Sequence, residues 1–300
     1  MSEGRSAVIV ADGGVDLPEG YARQYGIKTI PLMVCIGDEQ LRSGVDISAA
    51  EFYRRLRLEK ENFPTTSQPS AGDYVELYTE AAMTGLPILS FHLSAGLSGS
   101  LRSAQAAKEM LPDLDIHLID TGTLSGAMGL QVLVAAEMAA EGVAPERIVA
   151  EAKRIGEQSD TFYTIDTLEY LRRGGRIGRV AGYVGTLLGL RPIITVDKAT
   201  GTYNAVGRTR SFKSAANQIV DTVIEAAGEG SPISVVMLHG DCEDEVRRML
   251  ERLSARMDVR WVKIMRANPA LGAHIGPDTV GLAYYRGVLP IAEAQLEAAQ

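Results

Sequence analysis

Five short stretches of this 300-residue chain carry the residue types that handle anions or acyl groups. In SAGLSGSLRSAQAA (94–107), serines and glycines follow the apolar run LPILSFHL and lead into a helical pattern, which places Ser98, Gly99 and Ser100 at a strand-to-helix turn. Free backbone N–H groups at such a helix start point outward and favour an anion. GLSGS (96–100) also approaches the G-x-S-x-G turn of serine hydrolases, with Ser98 as nucleophile and His274 far downstream as its base. Ser100 stands where that turn requires glycine. A serine-capped helix with no further role is the plainer reading of the same residues.

The other four stretches are less self-explanatory. FPTTSQPSAGDY (63–74) sets Thr65, Thr66 and Ser67 in a row between Pro64 and Pro69, a stiffened loop able to offer hydroxyl donors to a carboxylate or phosphate. ALGAHIGPDTVG (270–281) holds His274, one of only four histidines, among glycines and a proline, so we read a shaped loop. LRRGGRIGR (171–179) and VGRTRSF (206–212) concentrate arginine in glycine-rich turns. Solvated surface charge is the default for such clusters, although arginine there also suits a phosphate or an acidic partner. None of these stretches has the Lys-Ser/Thr ending of a nucleotide phosphate loop.

The elements that must position these residues follow from periodicity and caps. SAVIVAD (6–12) reads as a strand, LPEGYARQYG as a helix with Pro18 in its first turn and Gly26 at its stop, and 27–37 as the next strand. Capping boxes open helices 48–59 (Ser48, Glu51) and 70–83 (Ser70, Asp73). Strand 87–93, helix 98–111, strand 115–120, a nearly all-apolar helix 126–140 and an amphipathic helix 144–158 complete a half that alternates strand and helix. That alternation predicts a largely parallel sheet with helices on both faces. The second half predicts a mixed sheet: a hairpin across 191–210, then helix 211–227, strand 232–240, helix 243–255 and strand 258–265. We therefore expect two α/β domains, 1–157 and 158–300, with no low-complexity linker between them.

Bulk properties exclude several classes. With 46% hydrophobic and 23% charged residues, the chain has the composition of a soluble globular protein. A net charge of −8 argues against a general nucleic-acid binder. The apolar helix at 126–140 is shorter than the roughly 20 residues that a membrane span requires, so no transmembrane segment is expected. Cys35 and Cys242 lie in no metal-ligand spacing, and Cys35 reads as a buried thiol. No signal peptide is apparent at MSEGRS, and the cytoplasm is the expected compartment.

Taken in order, IVADGGVDLP, IPLMVCIGDEQLRSGVDISAAEFYRRL, TTSQPSAGDY, HLSAGLSGSLRSAQAA, DTLEYLRRGGRIG, PIITVDKATGTYNAVGRTR and GAHIGPDTVGL resemble the DegV family of bacterial proteins over nearly the whole chain. That family includes the fatty-acid-binding subunits of bacterial fatty acid kinase. The resemblance implies two α/β domains with a long-chain fatty acid, such as palmitate, stearate or oleate, buried between them. It implies that Thr66 and Ser98 hydrogen-bond the carboxylate, that Gly99 and Ser100 assist through backbone N–H groups, and that His274 joins the same polar network. It further implies that Arg208, with Arg210 as the alternative, faces an ATP-dependent kinase that makes an acyl phosphate for phospholipid synthesis. The protein would carry lipid without catalysis of its own and without a cofactor, and a transient membrane-surface contact is compatible with that role.

The sequence departs from the family pattern at four places. Gly13 and Gly14 follow Asp12 where a hydroxyl residue is usual, Ser100 replaces Thr, Ala273 replaces Thr, and Asp278 replaces a frequent Gly. Two further readings stay open at this point: a serine hydrolase using Ser98 and His274, and a lipid-binding protein with no kinase partner.

Overall fold

In the computed structural model, residues 4–58, 63–184 and 189–290 are described. The first sheet is built from β1 (Val8–Asp12), β2 (Lys28–Ile30), β6 (Ile88–His92) and β7 (Ile116–Asp120) in the order β2-β1-β6-β7, all parallel. Parallel strands need crossovers and bury both faces. Here α3 (Ala71–Ala82) and α4 (Ser100–Met110) cover one face, packing Tyr74, Tyr78, Ala104 and Ala107 on Val8, Val10 and Ile88. The other face meets α5 (Ser125–Ala140). The short α1 (Tyr21–Gln24) joins β1 to β2, and Pro18 precedes it rather than opening its first turn.

The predicted strand 27–37 divides at Pro31. Its second part, β3 (Met33–Ile36), leaves the parallel sheet and pairs antiparallel with β4 (Glu39–Arg42) and β5 (Thr65–Ser67). The threonine-rich loop is thus an edge strand of this small third sheet. α2 (Ala49–Leu58) packs on it through Phe52, Tyr53 and Leu56. Position 59, the end of the expected helix, lies outside the described residues. Ser48 caps α2 by accepting from the Glu51 N–H at 3.2 Å, but the Glu51 carboxylate pairs with Arg54, so the box is half formed. The box at Ser70 and Asp73 is complete. Cys35 is half-buried, because alternate residues of the two-faced strand β3 turn away from the core.

After α6 (Pro145–Gln158) the chain enters a six-stranded sheet. Its members are β8 (Ser159–Ile165), β9 (Arg191–Asp197), β10 (Thr202–Thr209), β11 (Pro232–His239), β12 (Asp258–Arg266) and β13 (Thr279–Arg286). Their order is β10-β9-β8-β13-β11-β12, antiparallel except for β11 with β12. α7 (Glu169–Arg173) and α8 (Val180–Val184) lie between β8 and β9. α9 (Phe212–Ala227) and α10 (Glu243–Ser254) cover the outer face, and α11 (Pro269–Ile275) precedes β13. The division into two domains that we propose, after residue 157, falls at the end of α6.

α5 explains why the helix read at 126–140 is apolar on nearly all sides. Its core joins Ala11 and Leu89 of the parallel sheet to Val236 and Ala283 of the mixed sheet, so the helix lies between two sheets. A helix in that position must be apolar all round. Among the described residues no helix is long and apolar enough to cross a membrane.

Candidate functional site

Ligands of open parallel sheets bind beyond the carboxyl ends of the strands, where the strand order reverses. In this sheet that point lies between β1 and β6, and the loops leaving them, with Gly13, Gly14, Leu93 and Leu97, wall a cavity of about 40 Å3. The loops are fixed from below by Asp12, fully buried, whose carboxylate accepts the Gly14 N–H at 3.0 Å and the Leu93 N–H at 3.1 Å. Gly13 is required here because a Cβ at that position would stand 2.6 Å from the Leu32 backbone nitrogen. The departure from a hydroxyl residue after Asp12 therefore goes with a close approach of the segments at Gly13 and Leu32.

Three of the polar side chains that line this cavity come from three separate elements. Thr66 comes from β5, Ser98 from the turn before α4, and His274 from the last turn of α11. Thr66 Oγ1 and His274 Nε2 are 2.8 Å apart. Ser98 Oγ accepts the Ser100 N–H at 3.2 Å, which leaves its own hydrogen free to be donated. His274 lies in a helix and not in the loop expected from its glycines. Asn268 caps α11 by accepting the Leu271 N–H at 3.0 Å, Pro269 takes the first turn, and Gly276 ends it at φ +75°.

The electrostatics select a protonation state. Burial, with the Arg176 guanidinium adding to it, pushes the His274 imidazole down to about 4, so the ring is neutral at pH 7. Its Nδ1 is buried without a hydrogen-bond partner and faces Gly174, where a Cβ would come within 2.2 Å. A buried N–H without an acceptor is costly, so the proton belongs on Nε2, donated to Thr66 Oγ1. Thr66 then keeps its own hydrogen for a ligand. Two hydroxyl donors thus border one small cavity.

Arg176 supplies the positive charge. It lines the cavity, and its guanidinium donates to the Leu97 carbonyl at 3.2 Å and the Gly174 carbonyl at 2.8 Å. Sequence reading placed it only within an arginine-rich run. The signal for its position is the Gly174–Gly175 pair, which turns the chain back beneath α11 after α7. Gly99 and Ser100 do not line the cavity. Gly99 begins α4, and the Ser100 hydroxyl turns into the core, 2.7 Å from Tyr74 Oη. Arg208 is exposed on β10 and Arg210 is exposed just beyond it.

Two buried polar clusters were missed from sequence. His92 Nε2 is 2.9 Å from Ser90 Oγ and its Nδ1 is 3.4 Å from Asp12 Oδ2, a serine–histidine–aspartate order in which all three residues are fully buried. No substrate reaches a serine so enclosed, and the cluster instead ties β1 to β6 and, through Tyr74 and Ser100, to the start of α4. The second is Asp16, whose carboxylate accepts from Ser125 Oγ at 2.6 Å and from the Asn268 backbone N–H at 2.9 Å. Burial raises its pKa against those bonds. This cluster anchors the start of α11, and hence His274, to the parallel sheet.

Behind the polar groups lies apolar space. Leu124 and Leu271 line both the first cavity and a second of about 20 Å3, which continues past Phe162, Leu238 and Ile275. Outside, Arg57 of α2 donates to Asp241 at 2.7 Å and to Asp278 at 3.0 Å, which gives the unusual Asp278 a partner and clasps α2 to the segment after α11. Among the described residues no group of His, Cys, Asp and Glu could hold a metal ion. The arrangement suits an amphiphile with a small anionic head and an apolar tail.

Known proteins share this architecture. A DegV domain-containing protein of Deinococcus radiodurans is 35% identical over 285 residues, which cover 95% of this chain and 97% of that protein. A DegV family protein from Thermus thermophilus, described as binding fatty acid, superposes with a TM-score of 0.85 at 32% identity, covering 93% of this chain and 99% of its own. DegV of Bacillus subtilis, described as a fatty acid binding protein, gives a TM-score of 0.84 at 28% identity, covering 94% and 99%. The family model described as "Uncharacterised protein, DegV family" matches residues 6–287, and the chain belongs to that family.

Proposed function

We propose that this protein binds a long-chain fatty acid, buries its acyl chain behind Leu124 and Leu271, and holds its carboxylate between Thr66, Ser98 and Arg176. The observation that carries this reading is the Thr66–His274 bond beside Ser98. It leaves two hydroxyl hydrogens and one guanidinium at the mouth of an apolar space. Each methylene buried there contributes about 0.8 kcal/mol. A carboxylate drawn in with the tail must meet donors or pay heavily in desolvation. Neutral hydroxyls satisfy it while leaving an oxygen open, and the fatty acid binding described for the Thermus and Bacillus relatives supports the assignment.

The finer reading is that the bound carboxylate is presented to an ATP-dependent fatty acid kinase in the cytoplasm, with Arg208 or Arg210 facing that partner. Both arginines are exposed, as a docking residue must be. The carrier would have no catalysis of its own. A hydrolase using Ser98 fits the geometry less well, because the His274 bond goes to Thr66 and glycine, not a carboxylate, stands behind its Nδ1. The test is mass spectrometry of a denatured extract of the purified protein. A stoichiometric long-chain fatty acid is expected, whereas no lipid together with fluorophosphonate labelling of Ser98 would replace this reading with the hydrolase.

A further inference from the structure

Beside Ser98, two nitrogen donors converge on Gly99. A Cβ at that position would stand 2.8 Å from Gln68 Nε2 and 3.4 Å from Arg102 Nη2. Gln68 follows β5 and lines the cavity with Thr66, whereas Arg102 lies in the first turn of α4. Only a glycine at 99 lets the two groups approach this turn so closely.

Neither group is engaged elsewhere. Among the described residues nothing accepts a hydrogen bond from the Gln68 amide or the Arg102 guanidinium, and no carboxylate pairs with that guanidinium. Both residues are exposed, so they stand at the rim and not in the wall. The cavity lining contains no carboxylate either. In a chain of net charge −8, this rim thus adds a second, uncompensated cation to Arg176. A fatty acid head carries a single negative charge, which Thr66, Ser98 and Arg176 meet inside, and it gives the outer pair no partner.

Resting on the kinase reading above, we propose that Arg102 and Gln68 form a phosphoryl subsite, which holds the outer group of an acyl phosphate while the acyl chain stays buried. In the step that makes this ligand, a carboxylate oxygen attacks the terminal phosphorus of ATP. The C–O–P linkage forms, the P–O bond to ADP breaks, and ADP leaves with the electron pair. The head now extends outward by one phosphoryl group and carries more negative charge than the carboxylate did. A planar guanidinium matches phosphoryl oxygens with paired N–H groups, and the Gln68 amide adds a neutral donor. The carrier then keeps the product as well as the substrate.

The experiment titrates delipidated protein with palmitate and with its acyl phosphonate, in which a methylene replaces the bridging oxygen and prevents hydrolysis. Both ligands are expected to bind the unaltered protein. Arg102→Gln should lower the affinity for the phosphonate by about tenfold and leave that for palmitate unchanged. Arg102→Lys, which keeps the charge without the paired N–H groups, should fall between the two, and Gln68→Leu should cost the phosphonate less than Arg102→Gln does. Refusal of the phosphonate by the unaltered protein, an unchanged phosphonate affinity in Arg102→Gln, or equal losses for both ligands would overturn the subsite alone. Failure of the unaltered protein to bind palmitate would instead remove the fatty acid reading, and the subsite with it. No kinase is present in the titration, so a failure to form acyl phosphate from ATP is read separately.

Discussion

Thr66 Oγ1 and His274 Nε2 meet at 2.8 Å across 208 positions of sequence, joining the small antiparallel sheet to α11 at the mouth of an apolar cavity. The bond leaves the Thr66 hydroxyl proton to the cavity, the Ser100 N–H does the same for Ser98, and the carrier reading depends on both. Thr66→Ala and Ser98→Ala should each weaken fatty acid binding by about 1–3 kcal/mol, the range for a hydrogen bond to a charged group or for a partner left unsatisfied. Thr66→Ser should bind nearly as well as the unaltered protein. Equilibrium titration with a fluorescent fatty acid measures all three.

Arg176 should act on charge and not on tail burial. Arg176→Gln is expected to reduce palmitate affinity by roughly ten- to a hundredfold, in keeping with the greater strength of charge-assisted hydrogen bonds. Hexadecanol, which has the same tail and no charge, should bind almost equally to both forms. Equal losses for the acid and the alcohol would mean that Arg176 serves the shape of the cavity.

Gly174 permits the buried edge of His274. Gly174→Ala places a Cβ within 2.2 Å of His274 Nδ1 unless one of them moves. The expected cost is about 1–3 kcal/mol of folding stability, as for other overpacked sites. Lipid retention should fall with it, because the ring must withdraw from Thr66. Thermal unfolding with and without bound lipid separates the two effects.

Two groups contribute pH dependence of opposite sign. The folded His274 titrates at about 4, below its ordinary 6.5, so the unfolded chain binds the extra proton first and stability falls as pH drops from about 6.5 toward 4. Glu137, buried in α5 with one carboxylate oxygen unpaired, is pushed up to about 7 by burial and then by Glu141. Its neutral form is favoured in the fold, so its contribution is lost as pH rises from about 4.5 through 7. Each part amounts to at most roughly 3–4 kcal/mol at 1.36 kcal/mol per pH unit. Glu137→Gln should raise stability at pH 8 and leave it unchanged near pH 4, which urea unfolding at the two pH values checks.

Arg208 tests the partner. Arg208→Ala should retain fatty acid and slow acyl-phosphate formation when a cognate kinase and ATP are added, with Arg210→Ala the weaker of the two. Loss of lipid binding in Arg208→Ala would move that arginine from the docking face to the lipid site.

The alternation of strand and helix and the capping boxes made most of the parallel half legible, because those signals are local. α5 was legible as buried, but the sheets that bury it come from opposite halves of the chain. β5 was hidden because Thr65, Thr66 and Ser67 are too short and too polar to alternate. The α11 helix had a readable start in Asn268–Pro269, outweighed by the glycines that follow. The Asp12–His92 cluster and the place of Arg176 depend on parallel register and on a chain reversal at Gly174, neither of which leaves a local pattern. Ser98, His274 and the threonine-rich loop stood out by residue type, the joining of Thr66, Ser98 and His274 at one carboxylate came from resemblance, and their shared cavity gives that grouping a physical basis.

The central claim is most directly tested by the mass of the molecule that copurifies with the protein and by its dependence on two hydroxyls. Native mass spectrometry of the unaltered protein should show one long-chain fatty acid per chain, and the Thr66→Ala, Ser98→Ala double variant, still folded, should show little or none. Full retention of the lipid by the folded double variant would contradict the account.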